Sequence, residues 1–200
     1  MQHDRERLKE LTLYVCNSCK PQELGAVKLH KVLYFSDMIA YLFRGRPITG
    51  AVYRKRPHGP TCDSLLWAIA ALEEEGRIRI GLEDYFGFRK KTYVATAAAD
   101  ASRFDAAEIA LVDDVIDFVC RKNTAKTISE FSHNRAWELV EFGEELPYES
   151  AYLMYPDEVS AEALEWAARE VAAGADPRSA KNPLALEDYG VFRSRVQKAL

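Results

Sequence analysis

The sequence predicts a mainly α protein: a compact multi-helix domain with one small antiparallel β-hairpin. Apolar residues recur at helical spacings through most of the chain, most densely over residues 27–43. Residues 77–96 instead alternate apolar and charged side chains around a loop that contains glycine, which is typical of a hairpin. Hydrophobic residues make up 48% of the 200-residue chain, which is enough for a single core.

Residues 27–43 are expected to form the central helix, because their apolar side chains cover one broad face and much of a second. Gly45 and Pro47 end this helix. Polar positions on such a helix usually meet water or a partner, so we expect its charged side chains to be exposed. These side chains are Lys28, Lys31 and Asp37. A Thr49-Gly50 turn and a His58-Gly59-Pro60 segment then lead to the next helix.

Other parts of the chain have apolar stripes at the same helical spacing. The predicted helices cover residues 5–18, residues from Thr61 or Asp63 to about Glu75, residues 106–121, and residues 124–137 as two short helices. Within the last region, Ser132-His133-Asn134 is placed to cap the second short helix. A final helix is expected from Asp157 or Ser160 to Ala173, followed by a tail with two prolines and one short apolar cluster.

The two halves of the chain differ in charge. Residues 1–100 contain 16 Lys and Arg against 12 Asp and Glu, whereas residues 101–200 contain 11 against 19. Opposite fields can steer different partners, although ordinary solvated charge explains the same distribution. No apolar run reaches the roughly 18 residues that a membrane span needs, and the charged start is unlike a signal peptide. We therefore expect a cytoplasmic protein with no membrane partner.

The residue types that bind metals or carry out catalysis lack the spacings that these functions need. Cys16 and Cys19 have the spacing of half a zinc site, but Cys62 and Cys120 are far apart in sequence. The histidines form no HxxxH or HExxH pattern, and GxSxG, phosphate-loop and GxGxxG motifs are absent from the sequence. We expect reduced structural cysteines, no metal, no cofactor and no enzymatic activity.

A DNA-binding regulator of the winged-helix kind is the alternative function. The helix that starts near Thr61 and the basic hairpin after it resemble a recognition helix and a wing. The hairpin carries Arg77, Arg79, Arg89, Lys90 and Lys91, and a second basic cluster comprises Arg44, Arg46, Arg54, Lys55 and Arg56. However, that helix has Asp63 and three glutamates at 73–75 and no Lys or Arg, so it would repel phosphates. The charge of the helix argues against DNA as a partner.

Several short motifs occur in the order that one known family shows. They are Lys28-Leu29-x-Lys31-x-Leu33-Tyr34-x-x-Asp37, Gly45-x-Pro47-Ile48-Thr49-Gly50 with Tyr53, Gly59-Pro60, and Ser132-His133-x-x-x-Trp137. Over about residues 8–155 they resemble the Panacea domain, which includes SocA-like antitoxins. The order of the motifs is more specific than any single motif.

The resemblance implies a mostly helical bacterial or phage domain that neutralises a toxin by direct protein contact. SocA-like members also deliver the bound toxin to a protease. Residues 1–155 are therefore expected to form the antitoxin domain, and residues 156–200 a C-terminal helix and tail that packs on the domain or is specific to a partner. The expected partners are the cognate toxin, usually encoded by the adjacent gene, and a cytoplasmic protease; the sequence does not determine the oligomeric state.

The predicted partner-binding residues lie on the central helix, on the loop after it and in the late Ser-His motif. They are Lys28, Lys31, Tyr34, Asp37, Tyr53, Arg54, His58, Gly59, Pro60, His133 and Trp137. Loop 45–60 is favoured because a loop held between packed helices presents polar groups and loses little entropy on binding. The simpler interpretation is structural, with surface ion pairs, turn glycines, a helix cap at His133 and a buried anchor at Trp137.

Overall fold

The computed structural model describes residues 3–85, 87–154, 165, 168–169 and 172. Its helices are α1 (Arg5–Ser18), α2 (Ala26–Arg44), α3 (Ser64–Glu74), α4 (Ala106–Ile116), α5 (Ala125–Phe131) and α6 (Arg135–Glu138). Its strands are β1 (Tyr53–Arg54), β2 (Thr61–Cys62), β3 (Ile78–Tyr85), β4 (Phe88–Ala95) and β5 (Glu145–Leu146). Short 3₁₀ helices span Ala101–Arg103 and Tyr148–Met154. The predicted mainly α class with small β elements is confirmed.

Helix α2 lies at the centre of the fold, as its two apolar faces predict. It contacts α1, α4, α5 and the 3₁₀ helix Tyr148–Met154, and every residue from 31 to 38 is buried. Gly45 ends α2 in the left-handed conformation, with φ at 68°, and its N–H donates to the Tyr41 carbonyl. Glycine adopts this conformation without steric cost, which explains why it marks the end of the helix.

Helices α1 and α3 pack against each other beside the hairpin formed by β3 and β4. Their buried apolar residues follow the predicted helical spacing; they include Leu8, Leu11, Val15, Leu65, Ile69 and Leu72. In the hairpin, Ile78 pairs with Ala95 and the register continues to the turn. The predicted hairpin is therefore confirmed, and its second strand lies against α1.

A second antiparallel sheet was not predicted. Strand β1 lies in its middle, between β2 and β5. Each strand has only two residues, which is too short for an alternation of apolar and polar side chains to be visible in the sequence. The sheet matters because it brings residues 145–146 beside residues 53–54.

The region from α4 to α6 follows the prediction with one change of helix type. Helix α4 continues into a π-helical turn, Asp117–Arg121, so the predicted helix 106–121 has the right extent but not a uniform hydrogen-bond pattern. Helices α5 and α6 are the two predicted short helices. Asn134 caps α6, since its side chain accepts from the Trp137 backbone N–H at 3.3 Å.

The predicted last helix and tail lie almost entirely outside the described residues. Glu165, Ala168, Arg169 and Ala172 are described, and all four are helical. The expected division of the chain at residue 155 stays a prediction. Among the described residues, no helix is both long enough and apolar enough to cross a membrane.

Candidate functional site

The structure buries more than half of the predicted partner-binding residues: Lys31, Tyr34, Asp37, Tyr53, Gly59 and Pro60. Lys28, Arg54, His133 and Trp137 are partly exposed, and His58 is exposed. The expected exposure is therefore wrong for Lys31, which is 1% exposed, and for Asp37, which is 0% exposed. Because α2 has neighbours on most sides, even these polar side chains point into the protein.

Asp37 joins α2 to the turn that follows it. Its carboxylate accepts hydrogen bonds from the Thr49 N–H at 2.7 Å, the Thr49 hydroxyl at 2.5 Å and the Tyr53 hydroxyl at 2.9 Å. The Tyr148 hydroxyl donates to the Ala51 carbonyl at 2.7 Å and lies 3.3 Å from the same carboxylate. Burial raises the pKa of Asp37, while the hydrogen bonds from Thr49 and Tyr53 act in the opposite direction. These motif residues therefore hold the interior together.

Lys31 is a buried amine that contacts the loop before α3. Its Nζ donates to the Pro60 carbonyl at 3.0 Å. Burial lowers the pKa of Lys31 to about 7, and no opposite charge from the described part of the chain offsets that effect. Since burying a charge without a counter-ion is costly, the protonated form of Lys31 destabilises the folded protein.

The turn 58–60 fits closely between α2 and the junction of α5 and α6. At Gly59 φ is +85°, and a Cβ there would lie 2.2 Å from Ser132 Oγ and 2.6 Å from Lys31 Nζ. Both the left-handed backbone and the lack of space require glycine at this position. The Ser129 hydroxyl also donates to the carbonyl of residue 58 at 3.0 Å. Two motifs that are far apart in sequence, Gly-Pro and Ser-His, therefore meet at Lys31.

His133 and Trp137 stack on each other beyond this turn. Their ring centroids are 4.1 Å apart with an interplanar angle of 20°, and the Trp137 indole N–H donates to the Arg56 carbonyl at 3.3 Å. Trp137 is thus a partly buried anchor. His133 is not the helix cap that the simpler interpretation expected, because Asn134 makes the capping bond and His133 Nε2 is buried without a hydrogen-bond partner in the described structure. Burial lowers the pKa of His133, so its ring is neutral at pH 7.

Lys55 belongs to the candidate site and was not among the predicted partner-binding residues. It was grouped with exposed arginines, yet it is buried, and its Nζ donates to the Val140 carbonyl at 2.7 Å. The same Nζ lies 4.1 Å from the Trp137 ring centroid and 5.2 Å from that of Phe142. The available sequence signal is that Lys55 comes two residues after Tyr53, so in an extended segment both side chains face the same side.

Large apolar side chains remain exposed around the α5–α6 junction. We call them the apolar patch: Phe118 (37% exposed), Phe131 (53%), Leu139 (65%) and Phe142 (62%). Phe118 and Phe131 pack edge to face with ring centroids 5.3 Å apart, and Phe142 packs against Trp137 at 5.8 Å. Single exposed apolar residues are ordinary, but several in one stretch of the chain, from the π-helical turn to the loop after α6, favour an interaction surface.

Lys28 contacts a different element, the π-helical turn. Its Nζ donates to the Cys120 carbonyl at 2.8 Å, and burial lowers its pKa. All four cysteines are free and buried. Within the described ranges, no group of His, Cys, Asp and Glu side chains is arranged to hold a metal ion.

Several basic residues that favoured DNA binding are engaged inside the protein. Arg77 forms a two-pronged ion pair with Glu10, with N–O distances of 2.6 and 2.9 Å. Lys90 Nζ donates to the Gln22 carbonyl at 2.5 Å. The exposed basic residues of the hairpin are Arg79, Arg89 and Lys91. A phosphate-binding surface would therefore have fewer cations than the sequence suggested.

A family model described as antitoxin SocA-like, Panacea domain, matches residues 29–138. The match is shorter than the region 8–155 over which the motifs resemble the family, and it contains the turn 58–60, the Ser-His motif and most of α2. Its last residue is Glu138, so Leu139 and Phe142 of the apolar patch lie just beyond it. No curated protein and no solved structure matches the chain significantly.

Proposed function

This chain belongs to the SocA-like antitoxin family with a Panacea domain, and we propose that it neutralises the toxin of a bacterial or phage toxin–antitoxin pair by binding it directly. Family membership supports an antitoxin role and suggests a role without catalysis. It also implies a toxin as partner. The finer proposal concerns how the toxin is bound and what happens to it afterwards.

The observation that supports direct binding is the apolar patch at the α5–α6 junction. Phe131, Leu139 and Phe142 are each more than half exposed. Complete burial of such a side chain contributes roughly 1.5–3 kcal/mol, so a few of them suffice as anchors in a protein interface. Leu82 is as exposed as these residues but lies on a different element, strand β3 of the hairpin.

The apolar patch rests on a rigid base made of the family motifs. The turn 58–60 packs on Lys31 and Ser132, and Trp137 is bonded to the Arg56 carbonyl. A surface held in place before binding loses little conformational entropy on binding, which raises affinity. We therefore divide the predicted residues by role. The buried ones, Lys31, Tyr34, Asp37, Tyr53, Gly59 and Pro60, support the surface, whereas Arg54, His58, His133 and Trp137 contact the toxin at its edge; Lys28 holds the π-helical turn.

The bound toxin is either occluded or delivered to a protease. Occlusion needs only that the toxin's active surface be covered. Delivery needs a second surface for the protease, and the exposed α3 residues Leu66 and Trp67 lie on an element separate from the patch. Measuring the half-life of the toxin in cells with and without this protein distinguishes the two outcomes, because only delivery shortens it.

The test of direct binding is co-expression with the protein encoded by the adjacent gene. A variant with Phe131→Ala and Phe142→Ala is expected to lose both growth protection and co-purification with that protein. Leu82→Ala is the matched control, because it removes an equally exposed apolar side chain from the hairpin. Thermal unfolding of both purified variants shows whether the fold is retained.

Full protection by the folded double variant would exclude the apolar patch as the toxin-binding surface. Absence of protection by the unmodified protein, with the toxin shown to be active, would contradict the antitoxin proposal for this gene pair.

A further inference from the structure

The loop that carries half of the apolar patch has an unusual charge. Residues 138–145, which we call the acidic loop, contain Glu138, Glu141, Glu144 and Glu145 and no Lys or Arg. All four glutamates are exposed. None of them forms an ion pair within the described part of the chain. Unpaired like charges close together repel one another, so an opposite charge from outside would relieve this repulsion.

The acidic loop is held firmly despite its exposure. The N–H of Gly143 donates to the Lys55 carbonyl at 3.0 Å, and the N–H of Lys55 donates to the Glu144 carbonyl at 2.9 Å. Within the loop, the N–H of Glu144 donates to the Glu141 carbonyl at 3.0 Å. Strand β5 then pairs with β1. Its glutamates and apolar side chains therefore have a defined arrangement in the unbound protein.

Three cations that lie on or next to β1, beside the acidic loop, are engaged by other groups. Lys55 Nζ lies beneath the loop against the Val140 carbonyl and the aromatic rings. Arg54 donates to the Gly143 carbonyl at 3.2 Å, and both Arg54 and Arg56 pair with Asp63 at 3.8 and 3.4 Å. The Glu144 carboxylate accepts a hydrogen bond from the Glu141 N–H at 2.8 Å, and all four glutamates are exposed to solvent in the stretch that carries Leu139 and Phe142.

We propose that the acidic loop receives a basic amphipathic segment of the toxin, with Lys or Arg facing the glutamates and apolar side chains covering Leu139 and Phe142. This inference rests on the proposed antitoxin function and adds the chemistry of the partner. The negative charge of the loop favours a positively charged segment, and the exposed apolar side chains favour one that also has an apolar face. All of the loop except Glu138 lies beyond the residues that the family model matches.

The first test uses a synthetic peptide as probe. A fluorescent helical peptide of Leu and Lys is compared with the same peptide carrying Glu in place of Lys, by anisotropy against the full-length protein. The Lys peptide is expected to bind at least about tenfold more tightly, and its affinity should fall as salt is added. Equal affinity of the two peptides would overturn the proposal.

Charge-reversed variants locate the binding. Glu138→Lys with Glu141→Lys should weaken binding of the Lys peptide about tenfold or more. The control is Glu73→Lys with Glu74→Lys on α3, which makes the same charge change at two exposed glutamates of another element. Equal weakening by both variants would show a general charge effect and no site at the loop.

The chain's own C-terminal residues 177–200 are the alternative occupant that must be tested, because they contain five Lys and Arg against two Asp and Glu. Arg193→Glu with Arg195→Glu in the full-length protein tests this possibility. If this change strengthens binding of the Lys peptide about tenfold, the loop is occupied by the chain itself and the assignment to the toxin is overturned. An unchanged affinity supports the toxin as occupant.

Growth protection against the protein encoded by the adjacent gene separates this inference from the proposed function. Loss of protection in the Glu138→Lys, Glu141→Lys variant, with protection retained in the α3 control, supports both. If the acidic-loop variant still protects while Phe131→Ala with Phe142→Ala does not, the antitoxin function stands and the acidic-loop assignment is wrong.

Discussion

Two regions of this molecule use charged side chains in opposite ways. Around α1, acidic and basic side chains pair: Arg77 with Glu10 at 2.6 Å, Arg7 with Glu108 at 2.9 Å, and Lys9 with Glu75 at 2.7 Å. These pairs join elements that are distant in sequence. The acidic loop contains four glutamates within eight residues, and none forms an ion pair with any residue that the structure describes.

The difference shows that the role of a charged side chain depends more on whether it has a partner in the fold than on the sign of its charge. The α1 charges contribute to stability, because their removal leaves a buried or half-buried partner without its counter-charge. The acidic-loop charges contribute little to stability, because water solvates them. Their arrangement around exposed apolar side chains suits a partner, so changes in the two regions should separate stability from binding.

The largest stability effect is expected for Glu10→Ala. The Glu10 side chain is 5% exposed and accepts both Arg77 bonds and the Asp100 N–H at 2.8 Å. Its removal should lower the free energy of unfolding by about 3 kcal/mol, at the low end for a buried pair because Arg77 keeps some contact with water. Urea denaturation measures this, and a double-mutant cycle with Arg77→Ala isolates the pair. If Glu10→Ala lowers the free energy of unfolding by less than about 1 kcal/mol, the Glu10–Arg77 pair contributes no more than an ordinary surface ion pair.

The next effect is expected for Gly59→Ala, under the apolar patch. A methyl group there adds a clash with Ser132 Oγ and Lys31 Nζ to the strain of a positive φ, so stability should fall by at least about 2 kcal/mol. Gly45→Ala is the matched control, since Gly45 also has positive φ but no atom within 4 Å of its added Cβ. Chemical denaturation of both should show the larger loss at Gly59, and equal losses would mean that the close packing adds nothing.

A smaller, pH-dependent effect is expected from Lys31. Its pKa is lowered from 10.5 to about 7 in the folded protein, so the unfolded chain binds more protons between these pH values and stability rises with pH across that interval. The gain from this residue should be about 1 kcal/mol between pH 7 and pH 8. Unfolding of the wild type and of Lys31→Met across this range gives the difference.

Lys31→Met is expected to lose this part of the pH dependence, because it has no group that titrates. Lys31→Glu should instead be strongly destabilised, since it buries a carboxylate beside the Pro60 carbonyl. Subtracting the free energy of unfolding of Lys31→Met from that of the wild type at each pH removes the contribution of other groups. If the difference does not change from pH 7 to pH 9, the lowered pKa of Lys31 is contradicted.

The smallest stability effect is expected for Glu141→Ala in the acidic loop. Its side chain is exposed and unpaired in the described structure, so the free energy of unfolding should change by less than about 0.5 kcal/mol. Co-purification with the adjacent gene's protein should nevertheless decrease. A variant that binds normally but unfolds more easily would reverse the comparison between the two regions.

The sequence by itself predicted the helices, the hairpin and the family, because each leaves a local signal. Apolar spacing marked α1 to α4, Gly45 marked the end of α2, and alternation marked β3 and β4. The motif order pointed to the Panacea domain before the fold was known. These features depend on neighbouring residues or on short patterns, which a sequence shows directly.

Only the tertiary structure decided which polar residues are buried and which elements meet. Lys31 and Asp37 look like surface charges in the sequence, and they are buried because elements from distant parts of the chain surround α2. Lys55 is covered by the acidic loop only after β1 and β5 pair. Burial, ion pairing and pKa depend on contacts between residues far apart along the chain, so no local pattern determines them; the tertiary structure does.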